Sequence, residues 1–243
     1  AHARRDIAAG KCQVALMTYG STAHSNATAI GVGGRGGLGA HPADNMESFT
    51  GMTLVANYAM AARRHMHEYG TRREDLAEVA VAARRWAQLN PEAQKREPLT
   101  IEEVLAARPV SWPLTLPMCS PISDGAAAAI LVSDAVLERF TRSRAVRVAA
   151  SVLGTGIDRE PEDLENHITR RTANRAYAQA GFGPEVIDVA EVHDATAMGE
   201  IQQVENLGLV PFGDGGRAAE RGDTALGGRI PVNPSGGLES KGH

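Results

Sequence analysis

The sequence predicts an α/β fold in which helices cover a sheet. Three observations carry that expectation. Short apolar runs of strand length, such as 13–19 (QVALMTY) and 125–133 (GAAAAILVS), alternate with longer stretches of helical period. Residues that start and stop helices bracket those longer stretches. Apolar residues make up 43% and charged residues 22%, as in a soluble globular chain, and with aromatics at only 4% the interior must be packed with alanine, valine, leucine and glycine.

Residues 1–10 have helical character, and Gly10 suits a helix C-cap. With no initiator methionine and a last residue in a loop, the sequence is expected to be an interior portion of a longer protein. Segment 13–19 reads as a buried strand, bounded by Gly10 and by Gly20-Ser21. Residues 20–50 are glycine-rich and loop-like. Gly31, Gly33 and Gly36 match G-x-G-x-x-G, but no helix opens at Gly36, so a flexible or crowded loop is favoured over a dinucleotide site. Helices are predicted at 50–68 and 71–89, the second opened by a capping box of Thr71 and Glu74. Thr100 and Glu103 form a second box, for a short helix to Ala107. Segment 32–115 has little strand signal and reads as an insertion or lid over a sheet domain.

Beyond it, 125–133 is a buried strand, and Ser133-Asp134 caps a helix at 135–140. Residues 144–153 (RAVRVAASVL) alternate enough for a strand with one covered face. A helix at 167–180 ends at Gly181, a short strand runs over 186–192, and a helix at 197–207 ends at Gly208. Active residues of such folds gather at the carboxyl ends of strands, where His193 stands.

The net charge of -4, from 25 basic and 29 acidic residues, supplies no basic field and argues against nucleic acid as a partner. Arg63-Arg64 and Arg170-Arg171 read as solvated helix faces. Cys12 and Cys119 make neither a disulfide framework nor a metal cluster; both read as small buried side chains, and no metal is expected. No apolar stretch approaches membrane-spanning length and no signal peptide is evident, so no membrane contact and a cytoplasmic location are expected.

Two histidines sit in loops suited to chemistry. His193 ends the apolar run 189–192 and precedes a helix start. A neutral imidazole there can donate to a developing oxyanion, or merely bond a neighbouring loop; the local sequence does not separate the two. Asp194 is placed to cap the following helix. His243 follows Ser235-Gly236-Gly237 and Ser240-Lys241-Gly242, small residues that allow close approach and positive φ. Such a loop can hold an imidazole against a nucleophile as a general base, or lie on the surface. Lys241 reads as a phosphate contact or a solvated charge. The remaining histidines, His2, His24, His41, His65, His67 and His167, read as structural or exposed.

Six segments, DIAAGKCQVALMTYGS, ARRHMHEYG, LNPEAQKREPLT, MCSPISDGAAAAIL, EVHDATAMGEIQQVENLGL and IPVNPSGGLESKGH, resemble in order the thiolase superfamily, specifically its sterol-carrier-protein-type thiolases and their bacterial lipid-transfer-protein-like relatives. The resemblance implies a five-layered αβαβα fold with an inserted helical loop domain. Residues 1–31 and 116–143 would belong to the N-terminal half, 32–115 to the loop domain and 144–243 to the C-terminal half. It implies a dimer that binds acyl-CoA, with coenzyme A as a substrate, and that makes or breaks a carbon–carbon bond. His193-Asp194-Ala195-Thr196 stands where this subfamily has HDCF, and Gly242-His243 matches the start of GHP. Carried over, His243 would deprotonate a nucleophilic cysteine and help hold the thioester oxygen, and His193 would donate to the enolate oxyanion. The nucleophile is expected just before Ala1 and a C-x-G cysteine beyond His243; Cys12 and Cys119 match neither. Ala195 and Thr196 depart from the Cys-Phe pair, which alters the acyl pocket. Thiolysis of a 3-ketoacyl-CoA leads. A related retro-aldolase working beside a small zinc-ribbon/OB-fold partner, and a non-catalytic acyl-CoA or lipid binder, are the alternatives.

Overall fold

The computed structural model describes residues 1–26 and 52–243. Gly31, Gly33, Gly36, His41, most of the predicted 20–50 loop and the first residues of the predicted 50–68 helix lie outside the described residues. The chain divides into two compact units, one of Ala1–Ser21 with Gly125–Pro184 and one of Thr22–Asp124 with Glu185–His243.

In the first unit, α1 (His2–Ala8) closes at Gly10 with φ 71°, as its C-cap glycine requires. Strands β1 (Val14–Thr22) and β4 (Asp124–Val132) pair in a two-stranded sheet. Both read as buried strands, yet Leu16, Tyr19 and Ile130 are 66%, 72% and 59% exposed. Among the described residues, two strands alone leave both edges and much of both faces uncovered. The helix expected at 135–140 is a 3-10 turn over Asp134–Arg139, the form favoured by so short a segment. The strand expected at 144–153 does not form; Val146 is 88% exposed, and among the described residues the segment has no partner ladder to make it a strand. Helix α5 (Ile168–Ala180) matches expectation, capped by His167 at its start and by Gly181, φ 82°, at its end.

The second unit holds α2 (Leu54–Tyr69), α3 (Arg73–Gln88), α4 (Ile101–Ala106), the antiparallel pair β2 (Pro109–Ser111) and β3 (Leu114–Thr115), α6 (Ala197–Asn206) and α7 (Gly215–Glu220). Helix α3 lies at its centre and touches α4, α6, α7 and a π-helical turn over Gly237–Lys241. Its buried face is built from Ala77, Ala80, Ala83 and Ala87 with Leu76 and Val79. These small side chains let neighbours come close; a Cβ on Gly236 would stand 3.0 Å from that of Ala87. The alanine packing that the aromatic-poor composition predicts is therefore present in this unit.

The Thr71–Glu74 capping box does not form. The N-cap is Arg72, whose N–H donates to Asp75 Oδ2 at 2.8 Å, because Thr71 is buried and bonds His65 instead. The Thr100–Glu103 box does form, with bonds of 3.2 and 2.8 Å. The strand expected at 186–192 reduces to a 3-10 turn over Pro184–Val186 and a single parallel bridge between Ala190 and Val232. That bridge matters, because it aligns the two histidine-bearing segments. Met198 and Ile201, both 1% exposed, anchor α6 in the main core with Leu114 and Met118. Fully burying a side chain of that size contributes roughly 1.5–3 kcal/mol, which fixes the helix at whose start His193 stands.

Candidate functional site

Three segments of the second unit converge around the two histidines. The first runs from Ala190 to the start of α6. The second runs from Val232 to His243. The third is the strap 119–123 between β3 and β4. Ala190 N–H donates to Pro231 O at 3.0 Å and Asn233 N–H to Ala190 O at 2.8 Å, so the first two segments run side by side. The strap joins both. Cys119 bridges Thr196, Ser120 N–H donates to Ala195 O at 3.0 Å, and His243 N–H donates to Pro121 O at 3.1 Å. Ser123 Oγ donates to His243 O at 2.9 Å.

The outcome is that His193 and His243, fifty residues apart in sequence, meet edge to face. Their ring centroids are 5.1 Å apart with an interplanar angle of 77°. Both side chains remain exposed. Partial burial, then the neighbouring His193, holds the His243 imidazole below its usual range, so it stays neutral and basic near neutral pH. Its Nδ1 lies 3.3 Å from Ser120 Oγ. With Nδ1–H donating to that hydroxyl, Nε2 keeps a free lone pair, which is the tautomer a general base needs.

The side chains that lock the segments together were not evident in the sequence. Asn233 is 1% exposed and has φ 51°, a left-handed conformation that asparagine tolerates. Its Oδ1 accepts from Val192 N–H at 2.8 Å and its Nδ2 donates to Glu200 Oε2 at 2.8 Å. Glu191 accepts from Ser235 N–H at 3.0 Å and from its hydroxyl at 2.8 Å. Asp194 is fully buried. It does not cap the following helix: Thr196 does, accepting from Gly199 N–H at 3.2 Å. Asp194 instead accepts from Leu238 N–H at 2.8 Å and Glu239 N–H at 3.4 Å. The sequence signal for Asn233 was its place in the PVNPSGG loop, which needs a positive-φ residue that also carries both a donor and an acceptor.

Behind the histidines lie three buried carboxyls, Asp194, Glu200 and Glu239. Burial raises Asp194 to about 6. Burial and then the Asp194 charge raise Glu200 to about 8. The same causes, with Glu200 added, hold Glu239 well above the carboxylate range. Cys119 is half-buried beside this group, and burial followed by the Glu239 charge pushes its thiol to about 12. A thiol so hard to ionise is a poor nucleophile. Cys12 is likewise only half-buried and belongs to the other unit. Away from the histidine pair, His65 is buried; its Nε2 lies 3.0 Å from Glu205 Oε1, which also accepts from Gly215 N–H at 2.9 Å.

Residues 154–243, which include both histidine segments, match the family described as thiolase C-terminal domain-like. The chain is 44% identical to the acetyl-CoA acetyltransferase of Methanothermobacter thermautotrophicus over 199 residues, covering 81% of this chain and 52% of that protein. This chain belongs to the thiolase superfamily. A second thiolase relative, the benzoylsuccinyl-CoA thiolase subunit BbsB of Thauera aromatica, is 37% identical over 241 residues, covering 98% of this chain and 61% of that one. The chain thus spans between half and two thirds of the length of these two curated relatives. Among solved structures, the Ltp2-ChsH2(DUF35) aldolase superposes with a TM-score of 0.84 at 29% identity, over 98% of this chain and 63% of that one. The α/β architecture is accordingly that of the thiolase fold.

Proposed function

We propose that this thiolase-superfamily chain carries two of the catalytic loops of an acyl-CoA thiolase, which cleaves a 3-ketoacyl-CoA with coenzyme A through an acyl-cysteine intermediate. The observation that carries the reading is the pairing of His193 with His243 at 5.1 Å on two interlocked loops. In the cleavage, a cysteine thiolate adds to the C3 carbonyl and the C2–C3 bond breaks. The electron pair passes into the thioester as an enolate, which takes up a proton at C2 and leaves as a CoA thioester. His193 donates a hydrogen bond to that oxyanion, where a fixed donor contributes most. His243, neutral and with Nε2 free, takes the proton of the cysteine thiol and helps hold the thioester oxygen. Coenzyme A then displaces the acyl group from the cysteine. Cys119, whose thiol stays protonated, is a poor candidate for that nucleophile, and neither it nor Cys12 matches a catalytic cysteine position of the family. The acyl-CoA chemistry in the names of both thiolase relatives supports this substrate class.

A second reading is favoured by the likeness to the Ltp2-ChsH2(DUF35) aldolase. In it, the same histidine pair stabilises an enolate released from a β-hydroxyacyl-CoA, without acyl-cysteine. The partners are then a small zinc-ribbon/OB-fold subunit beside a homodimer of this chain. One pair of assays separates the two. The thiolase reading expects coenzyme-A-dependent loss of a 3-ketoacyl-CoA that His243→Ala abolishes. Unchanged turnover in that variant removes His243 from the mechanism. Cleavage of a β-hydroxyacyl-CoA without added coenzyme A, and none of the 3-ketoacyl-CoA, transfers the assignment to the aldolase.

A further inference from the structure

Asp194 neighbours a proposed catalytic histidine yet turns away from its own helix. Its carboxylate is spent on the other loop, accepting from Leu238 N–H at 2.8 Å and Glu239 N–H at 3.4 Å. Those residues open the π-helical turn Gly237–Lys241, which ends one residue short of His243. The fit is close: a Cβ on Gly237, φ 59°, would fall on the Asp194 carboxylate. Glu191 with Ser235 and Asn233 with Val192 make two further cross-links between the same segments. Of the three, Asp194 makes the contact nearest His243 in the chain and is completely shielded from water.

We propose that Asp194 is a positioning residue that holds His243 against His193 by gripping the backbone of the 237–241 turn. The groups facing it are all acidic: Glu191 on its own segment, Glu200 on α6 and Glu239 on the turn it grips, with Arg84 of α3 acting on Glu239. Burial and the Asp194 charge push Glu200, to about 8, and Glu239 toward their neutral forms. Asp194 is therefore the member of the trio that carries charge, and an ionised acceptor makes the stronger bonds to backbone N–H groups. As the pH falls through about 6 it takes up a proton and its grip weakens. The kinetic consequence rests on the acyl-CoA reading above; the positional claim does not.

The test is Asp194→Asn in the purified protein, read in two ways. The substituted amide presents one carbonyl where two N–H groups need acceptors. In the wild type, the His243 imidazole should titrate below its usual range by NMR; in the variant it should move back toward that range as the ring leaves its partly buried place beside His193. In the cleavage assay, kcat should fall about 10- to 100-fold with KM for the acyl-CoA changed less than about threefold, as misplacement of a reacting group predicts. Gly237→Ala, which presses on the same carboxylate, should give both signatures. If neither variant folds, the wild type still decides. The Leu238 amide proton should show an inflection near pH 6, where its acceptor is protonated. A folded Asp194→Asn with unchanged His243 titration, even with lowered thermal stability, overturns the proposal, as does a Leu238 amide without that inflection. A wild type that cleaves no acyl-CoA refutes the proposed function and leaves the NMR outcomes to judge Asp194.

Discussion

Replacing Glu200 with glutamine should convert a pH-sensitive fold into a less sensitive one. Glu200 lies one turn inside α6, 5% exposed, with Oε2 accepting from Asn233 Nδ2 at 2.8 Å. Burial and the Asp194 charge raise it from an ordinary 4.5 to about 8. The folded state therefore binds this proton more tightly than the unfolded chain does. Its contribution to stability is complete below about pH 4.5 and is lost as the pH rises through about 8. At ~1.4 kcal/mol per pH unit, the loss across that interval is about 4–5 kcal/mol. Glu200→Gln keeps the volume and an acceptor for Asn233 but cannot ionise. Its stability should match the wild type near pH 5 and exceed it by several kcal/mol near pH 9. Urea unfolding followed by tryptophan fluorescence measures this directly, because both tryptophans, Trp86 and Trp112, belong to the same unit as Glu200. A wild-type-to-variant difference that is the same at both pH values refutes the assignment of a protonated Glu200.

Two further outcomes are expected. Glu205→Ala leaves the buried His65 imidazole and the Gly215 N–H without their shared acceptor; stability should drop by about 3 kcal/mol, read as a lower calorimetric Tm, and an unchanged Tm contradicts the role of this pair. Ser120→Ala removes the group that faces His243 Nδ1; kcat for acyl-CoA cleavage should fall about tenfold at constant KM, and equal kcat shows that the ring is oriented by other contacts.

Much of the candidate site was legible in the sequence as two loops carrying histidines, and the reasons differ by residue. His193 and His243 stood out because each closes a segment of strongly marked local character, one apolar and one glycine-rich. Helix α5 and the Thr100 box were legible because caps act within four residues. Thr71 misled for an opposite reason: its hydroxyl has a distant competitor, His65, and a buried imidazole outbid a local cap. The alternation at 144–153 misled because a strand is a property of a pair of segments, and pairing is not written in one of them.

The local sequence alone determined several helix ends, such as the Thr100 box and Gly181, the alanine-built packing of α3 and the two loops that present imidazoles. These depend on backbone sterics and on side chains a few residues apart. Tertiary structure decided how far apart the imidazoles stand, which carboxyls keep their protons and what Asp194 holds. Each of those depends on groups about 40 residues apart in sequence, brought into a volume from which water is excluded. There burial and neighbouring carboxyls push a carboxylate toward its neutral form, as they do Glu200. A one-dimensional pattern carries no measure of that exclusion; the Asp194 carboxylate, closed in against the 237–241 turn, does.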